Sequence, residues 1–306
     1  MQSKIHQAVI LSAGFGTRLL TLTRGKIPKA MIPVGGKPLL ERHIEQFKKY
    51  GVTEFFVNLF YLPDVIKNYF GDGAKWGVKI HYALEPEIRG TAGGIKNFSA
   101  ESARLPASPL LQRGEPDGQG SASGGDGTLK NNFFAIYGDI YSEVDYGKMA
   151  DAFAGHAGAI GMELVGNTDH PEDSDLVEVD NDLRFLKIHP KPHEALPKNY
   201  KSMRGIFILN EKILKYIPEK TYYEIDHDLL PDALAKEEKF YGYECGDYLK
   251  DVGTPERYVE VENISKKKRR QATDRPPLRN NTTFQHSQEC WNVVVESLPA
   301  VALQFS

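Results

Sequence analysis

The chain of 306 residues is poor in cysteine, and it lacks both a long apolar segment and a marked excess of one charge sign. Only Cys245 and Cys290 are present, too few for a disulfide framework, which is consistent with a reducing compartment. No apolar run approaches the roughly 18 residues of a membrane span, and no signal region precedes the first predicted strand. We therefore expect a cytoplasmic protein with no membrane partner.

The opposite charges nearly cancel, with 38 lysines and arginines against 41 aspartates and glutamates and a formal charge of -3. Nothing in this balance indicates a nucleic-acid partner, so charge must be considered locally. The length allows one large domain or two small ones, with ample residues to bury a core. The sequence leaves the oligomeric state open, a homo-oligomer included.

A basic, glycine-containing loop near the start of the chain lacks the spacing of two familiar phosphate-binding motifs. The segment LSAGFGTRLLTLTRGKIPKA, residues 11–30, has Leu19 where the dinucleotide-binding pattern needs a third glycine. It has Leu20 where the Walker pattern needs a glycine. Neither motif is therefore present.

The same loop still contains the residue types that hold an anion. Gly14 and Gly16 let the backbone approach a ligand and present N–H groups to it. Thr17, Arg18 and Lys29 add a hydroxyl and two cations. Taken alone, the segment is equally well explained as a phosphate-binding loop and as a surface turn with solvated charges.

Strand and helix patterns alternate through the first hundred residues. Residues 8–11, 55–59 and 78–84 are typical of buried strands, and residues 38–50 and 63–70 are typical of helices. Such alternation predicts an α/β fold with a mostly parallel sheet and helices on both faces. Ligands of such sheets bind at the carboxyl ends of the strands, which is where the basic loop lies.

Regular patterns resume after residue 127. The predicted strands are residues 133–139, 160–165, 176–179, 185–188 and 205–209, with a hairpin turn at 180–182. The last predicted helix runs from Pro255 to about Ile264, with Thr254 as its N-cap.

Two segments lack the apolar periodicity of a core. Residues 99–127 are rich in glycine and predict a flexible surface insertion, either without chemistry or acting as a lid. Residues 265–306 predict a basic, low-complexity tail, whose run Lys266–Arg270 is either solvated or bound to an acidic surface. We therefore assign residues 1–264 to one domain and expect the insertion and the tail to be dispensable.

Two aspartates follow predicted strands at the same edge of the sheet. Asp139 ends a buried strand, and Asp251 lies directly before a capped helix. Carboxylates opposite a basic glycine loop suit Mg²⁺ bridging phosphates, since this ion is held by one or two carboxylates plus substrate oxygens. Each aspartate is otherwise explained as a turn or cap residue.

These residues resemble the signature of a known family, the sugar-1-phosphate nucleotidyltransferases or nucleoside-diphosphate-sugar pyrophosphorylases. The similar motifs cover roughly residues 5–264 apart from the insertion: GFGTRL (14–19), PKAM (28–31), KP (37–38), EP (85–86), GTAGG (90–94), YGD (137–139), HPKP (189–192), GIFIL (205–209) and DVGTPERY (251–258). Chance agreement of so many motifs in order is improbable.

The resemblance implies a Rossmann-like fold and a reaction between a nucleoside triphosphate and a sugar 1-phosphate, giving a nucleoside-diphosphate sugar and pyrophosphate. It implies that Arg18 holds the β- and γ-phosphates, Lys29 the α-phosphate and Lys191 the sugar phosphate. It implies Mg²⁺ as the cofactor, held by Asp139 and Asp251. The implied partners are therefore small molecules.

The resemblance also places the nucleotide. It implies contacts with two groups of residues, one in the basic loop and one near the GTAGG motif: Leu11, Ala13, Gly14, Gly16 and Thr17, then Glu85, Gly90, Thr91 and Ala92. Glu85 would face the edge of the base, and otherwise it is a strand-end carboxylate facing water. An ionised carboxylate only accepts hydrogen bonds, and guanine offers two adjacent donors. A glutamate that contacts the base from this position therefore favours GTP.

Departures from the family pattern fall near the implied sugar pocket. Pro190 precedes Lys191 where the family usually has a glutamate, and Met203 and Arg204 occupy a region where an asparagine commonly touches the sugar. The chain is most similar to the branch that acts on mannose 1-phosphate or manno-heptose 1-phosphate with GTP. The alternatives are a thymidylyl- or uridylyltransferase acting on glucose 1-phosphate, and a non-catalytic nucleotide-sugar sensor.

Overall fold

A computed structural model describes residues 5–99 and 127–273. The strands are β1 (Gln7–Leu11), β2 (Pro33–Val34), β3 (Lys37–Pro38), β4 (Glu54–Leu59), β5 (Lys79–Leu84), β6 (Asn132–Tyr137), β7 (Ile140–Ser142), β8 (Ala159–Gly166), β9 (Leu176–Val179), β10 (Phe185–His189), β11 (Tyr200–Asn210), β12 (Lys239–Tyr243) and β13 (Leu249–Asp251). The α-helices are α1 (Leu20–Thr23), α2 (Leu39–Lys49), α3 (Pro63–Phe70), α4 (Gly90–Lys96), α5 (Tyr146–Ala154), α6 (Leu230–Ala235) and α7 (Pro255–Thr273).

Nine strands of the described residues form one mixed sheet. At its centre β1 pairs in parallel with β4 and β6, and β4 pairs in parallel with β5. Antiparallel strands extend it: β11 pairs with β6, β8 and β9, and β10 pairs with β9. β12 lies parallel to β8.

Each face of this sheet has its own apolar core. Ala8 and Ile10 of β1 belong to one buried cluster, together with side chains of α2, α3 and α5. Val9 and Leu11 belong to the other, together with side chains of α4 and α6. Because successive side chains of a strand point to opposite faces, a fully apolar strand such as β1 needs helices on both sides. The predicted α/β, Rossmann-like fold is confirmed.

The central strands end at one edge. Leu11 lies beside Asn58 of β4 and Tyr137 of β6, and Leu59 lies beside Leu84 of β5. The segments that follow these strands therefore meet at the carboxyl edge of the sheet, as the alternating pattern predicts.

The elements differ from the sequence predictions mainly at their ends. Helix α7 continues to Thr273 instead of ending near Ile264, and β11 begins at Tyr200 instead of 205. The predicted insertion (except residues 99 and 127) and residues 274–306 lie outside the described residues. Within the described ranges, no helix has the length and apolar character needed to cross a bilayer.

Candidate functional site

A cavity of about 270 Å³ lies at the carboxyl edge of the sheet. Seven of the predicted site residues line it: Leu11, Ala13, Gly14, Lys29, Gly90, Thr91 and Asp139. The other seven lie outside its walls: Gly16, Thr17, Arg18, Glu85, Ala92, Lys191 and Asp251. A larger open cleft of about 1010 Å³ lies at the opposite edge, near Ile5 and Asn132, and none of the predicted residues lines it.

The loop after β1 is anchored by the neighbouring strand. The N–H of Ser12 donates to Oδ1 of Asn58 over 2.7 Å. Within the described part of the chain, the N–H groups of Ala13 and Gly14 have no hydrogen-bond acceptor. A Cβ added to Gly14 would meet no atom within 4 Å, so the backbone here borders open space. The loop can therefore offer backbone donors to an anion.

Lys29 packs against this loop and against a strand end. Gly16 has φ +63°, and a Cβ there would come within 3.0 Å of Cβ of Lys29, so conformation and space both favour glycine. The ammonium group of Lys29 forms an ion pair with Asp139, directly after β6. These two predicted residues are therefore brought together, with side chains 15% and 28% exposed.

Asp251 reaches the same edge through the β7–β13 pair. Its partner in the pair is Ile140, and the N–H of Val252 donates to the carbonyl oxygen of Asp139 over 2.7 Å. The two predicted metal ligands therefore lie on neighbouring backbone segments. Nη1 of Arg257, in the first turn of α7, donates to both carboxylate oxygens of Asp251 at 2.7 Å.

Arg18 lies beside Asp251, although it is exposed and outside the cavity. A Cβ on Gly253 would lie 2.4 Å from Oδ2 of Asp251 and 3.3 Å from a guanidinium nitrogen of Arg18. The lack of a side chain at Gly253 therefore lets Arg18 approach the predicted metal ligand.

The donor set fits a hard divalent cation bound together with a substrate. Asp139 and Asp251 each form an ion pair with a cationic side chain, so a bound cation would take the place of Lys29 and Arg257 beside these carboxylates. No group of three or more histidine, cysteine or acidic side chains that could hold a metal occurs in the described residues. Two carboxylates without a third ligand suit Mg²⁺ that is also held by phosphate oxygens.

Glu85 is buried, with a 2% exposed fraction, so the alternative of a carboxylate facing water is wrong. Oε1 accepts hydrogen bonds from Nδ2 of Asn58 at 2.9 Å and Nδ2 of Asn97 at 3.3 Å, and Oε2 accepts one from the N–H of Arg89 at 3.2 Å. Burial raises the pKa of Glu85, against the effect of these donors. Glu85 reaches the cavity wall through Asn58, and its contact with the base stays a prediction.

The GTAGG segment is tied to the loop before α6. The N–H groups of Ala92 and Gly93 both donate to the carbonyl oxygen of Tyr223, so Ala92 has no free N–H for a nucleotide. Oγ1 of Thr91 accepts from the N–H of Ile225 over 2.8 Å. Gly90 has φ +73°, and a Cβ there would lie 2.6 Å from the carbonyl oxygen of Tyr223. The segment therefore depends on glycine for its close backbone packing.

Lys191 lies at a second, exposed part of the site. Its N–H donates to Oδ1 of Asp175 at 3.1 Å, and its Nζ lies 3.6 Å from Oδ2. Nε2 of His227 also contacts Oδ1 of Asp175, at 2.9 Å, and Nδ1 lies 3.3 Å from Glu224, which lines the cavity. Lys191 is thereby linked to the cavity wall through side chains.

Sequence reasoning missed several residues that shape this region: Asn58, Glu163, Glu224, Asp226 and His227. Asn58 carries a detectable signal, a polar residue at the end of an apolar strand. Glu163 stands in the apolar strand β8, where an acidic residue is also unusual. The others lie at the start of the π-helical turn Ile225–Leu229 before α6, whose sequence gives no comparable signal.

The chain is similar in sequence to known nucleotidyltransferases. A mannose-1-phosphate guanylyltransferase of Mycobacterium tuberculosis is 28% identical over 258 residues, covering 83% of this chain and 63% of the relative. A UTP–glucose-1-phosphate uridylyltransferase of Synechocystis is 28% identical, covering 83% of this chain and 62% of the relative. The chain thus spans less than two thirds of each relative's length.

The crystal structure of HddC from Yersinia pseudotuberculosis complexed with GMP-PN has a TM-score of 0.61 and 25% identity, covering 85% of this chain and 99% of that chain. The family described as nucleotidyl transferase matches residues 7–109 and 121–268, which is most of the sequence and includes every predicted site residue. The chain belongs to the nucleotidyl transferase family.

Proposed function

We propose that the protein is a sugar-1-phosphate nucleotidyltransferase. It transfers a nucleoside monophosphate from a nucleoside triphosphate to a sugar 1-phosphate and releases pyrophosphate. The observation that carries this proposal is the cavity in which the unpaired backbone donors of Ala13 and Gly14 lie near the Lys29–Asp139 pair. Family membership supports the same reaction class.

The reaction needs positioned charge rather than a covalent intermediate. An oxygen of the sugar phosphate attacks the α-phosphorus, a new P–O bond forms, and the bond to the departing pyrophosphate breaks. Lys29 is assigned to the α-phosphate, Arg18 to the β- and γ-phosphates and Lys191 to the sugar phosphate. These cations stabilise charge that is already on oxygen and hold the reactants in line.

Mg²⁺ is the proposed cofactor, with Asp139 and Asp251 as its protein ligands. When bound, it would supply positive charge that neutralises the phosphates of the substrates. The ammonium of Lys29 and the guanidinium of Arg257 contact these carboxylates, and both are cationic donors of the kind that bind phosphate oxygens.

The proposed substrates are GTP and a mannose or manno-heptose 1-phosphate. The guanylyltransferase relative and the GMP-PN complex of HddC support this choice. The proposed base reader is Glu85, whose oxygens would exchange the present donors Asn58, Asn97 and Arg89 for N1–H and the 2-amino group of guanine. The equally similar uridylyltransferase favours the second candidate, transfer of UMP or dTMP to glucose 1-phosphate.

The test is an assay of pyrophosphate release over four nucleotides and several sugar 1-phosphates. We expect kcat/KM for GTP to exceed that for dTTP and UTP by about tenfold or more, since a mismatched buried acceptor costs about 1–3 kcal/mol. Lys29→Ala should lower kcat/KM by about 10²-fold, and the exposed Lys187→Ala serves as its matched control. A preference for UTP or dTTP selects the second candidate, and nucleotide-sugar binding without any turnover selects a sensor.

A further inference from the structure

Two buried carboxyl groups next to the cavity each leave one oxygen without a hydrogen-bond partner among the described residues. These atoms are Oε2 of Glu163 and Oδ1 of Asp226. A buried polar atom that lacks a partner is costly, so native proteins rarely keep one without a reason such as a ligand. Glu163 and Asp226 are called the acid pair below.

The other oxygen of each group is firmly held. Oε1 of Glu163 accepts from the N–H groups of Arg204 and Gly205, each at 3.0 Å, at an irregular point of β11. Oδ2 of Asp226 accepts from the hydroxyl of Tyr137 over 2.6 Å. The protein thus fixes both side chains through one oxygen and leaves the second oxygen of each buried and without a partner among the described residues.

The acid pair can both donate and accept hydrogen bonds. Burial raises the pKa of Glu163 well above its usual range, and burial raises the pKa of Asp226 as well. The charged groups that face them are Asp175, Glu224 and His227. A carboxyl that keeps its proton donates one hydrogen bond and a carboxylate accepts several, so the pair can contact a hydroxyl group in either direction.

The acid pair lies between the two phosphate-binding regions of the proposed function. On one side, Tyr137 lines the cavity that contains Lys29. On the other side, His227 follows Asp226 in the chain and contacts Asp175, which holds Lys191. The acid pair is therefore linked to both regions, through Tyr137 and through His227, although neither carboxyl group itself lines the cavity.

Two substitutions relative to the family pattern leave this region without the expected sugar contacts. Pro190 stands where the family resemblance leads us to expect a glutamate, and Met203 and Arg204 occupy the region where it leads us to expect an asparagine. The side chains of Pro190 and Met203 cannot replace these polar contacts, and the guanidinium of Arg204 donates to the carbonyl oxygen of Asn167. Carboxyl groups from β8 and from the π-helical turn Ile225–Leu229 before α6 are present instead.

We propose that Glu163 and Asp226 recognise the sugar 1-phosphate by hydrogen bonds to ring hydroxyls and so determine which sugar is accepted. This inference rests on the proposed function and adds the residues that select the sugar by hydrogen bonds. In the alternative, the two carboxyl groups only share a proton and stabilise the packing of β8 against the loop.

The test compares Asp226→Asn, Glu163→Gln and Glu163→Ala with the wild type, and Glu178→Gln of the same sheet serves as the control. We measure KM for the sugar phosphate and for the nucleotide separately, the Kd of the sugar 1-phosphate by calorimetry, and Tm. Asp226→Asn should raise KM and Kd of the sugar phosphate about tenfold or more and leave nucleotide KM within about twofold. Glu163→Gln, which mimics the protonated acid, should retain most of the affinity that Glu163→Ala loses.

A fall in Tm with unchanged sugar affinity would support the structural alternative and overturn the inference. Equal effects on nucleotide and sugar would also overturn it. Failure of the wild type to bind any sugar 1-phosphate overturns both proposals, whereas binding of the sugar without turnover overturns the proposed activity alone.

Discussion

Gly14 is the residue whose missing side chain matters most for the proposed nucleotide site. Its backbone has no left-handed conformation to explain the glycine, and a Cβ would touch no protein atom within 4 Å. The protein itself therefore tolerates a methyl group here. The reason for glycine must lie in the space that the backbone faces, where phosphate would approach.

We therefore predict that Gly14→Ala folds normally but raises KM for the nucleotide about tenfold, the effect of one added carbon in a tight pocket. Tm should stay the same or rise slightly, because alanine restricts the unfolded chain. Gly246→Ala is the matched control, since a Cβ there also meets nothing within 4 Å. Steady-state kinetics and thermal melts check both variants, and unchanged nucleotide KM in Gly14→Ala would contradict the assignment.

Arg257 competes for the carboxylate that the proposed metal needs. One of its nitrogens contacts both oxygens of Asp251 at 2.7 Å, but the two side chains are 42% and 38% exposed. Ion pairs this exposed contribute about 0–1 kcal/mol. A divalent cation can therefore displace Arg257 at small cost.

Arg257→Gln should consequently bind Mn²⁺, used as a probe for Mg²⁺, up to about fivefold more tightly, because 1 kcal/mol of competition is removed at most. Titration of Mn²⁺ followed by the electron paramagnetic resonance signal of the free ion measures this directly. Arg184→Gln, directly before β10 and outside the candidate site, is the control. Weaker binding in Arg257→Gln would show that Arg257 organises the ligands rather than competing with the metal.

At the scale of elements, apolar periodicity was sufficient to predict the strands and helices whose own sequence carries the apolar pattern. It predicted β1, β4, α2 and α3 to within one or two residues, because their apolar side chains repeat with the period of the element. It missed the first half of β11, whose polar sequence YKSMR is held in the sheet by pairing with β8 and β9. Partners of that kind cannot be read from local sequence.

In the candidate site too, some contacts were predicted from the sequence and others depend on tertiary packing. Strand ends and the glycine loop predicted that Lys29 and Asp139 share one edge, and the structure brings them into contact. The pairing of Asp251 with Arg257 depends on the first turn of α7, and the burial of Glu163 depends on β11. Both arise from tertiary packing, so motif spacing could not reveal them.

Helix α7 contacts the turn between β2 and β3 and the segment after β7. Oε2 of Glu262 accepts from the N–H of Gly35 over 2.6 Å, and Ser265 is buried against the same glycine. Lys268 forms an ion pair with Glu143. The sequence predicts that ending the chain after Ser265 is harmless, and these contacts change that expectation.

We predict that a chain ending at Thr273 melts like the full chain. A chain ending at Ser265 loses the Lys268–Glu143 pair and should melt about 2–4 °C lower, since a loss of about 1 kcal/mol shifts Tm by about 2 °C or more. A chain ending at Val261 also loses Glu262 and Ser265 and should be affected at least twice as strongly. Calorimetric melts rank the three proteins, and identical melting temperatures would show that the end of α7 does not stabilise the fold.

For the whole molecule, buried ionisable groups make stability depend on pH in opposite directions. Glu163 and Asp226 have raised pKa values, so their contribution is present at low pH and is lost as pH rises through their folded values. His43 of α2 is buried, with a 2% exposed fraction, and burial lowers its pKa to about 4. Its imidazole also bonds to the backbone of Gly138, directly before Asp139.

At acid pH, the stability of the protein depends on the protonation of His43. Since the unfolded chain protonates histidine at about pH 6.5 and the folded chain only at about pH 4, the unfolded state binds more protons between these values. Stability that His43 contributes is therefore complete above about pH 6.5 and is lost as pH falls to 4, by about 3 kcal/mol at most. His43→Gln, which cannot titrate, should flatten the fall in urea-unfolding free energy over this range. The exposed His170→Gln should leave it unchanged, and an equally steep fall in His43→Gln would assign the acid sensitivity to other groups.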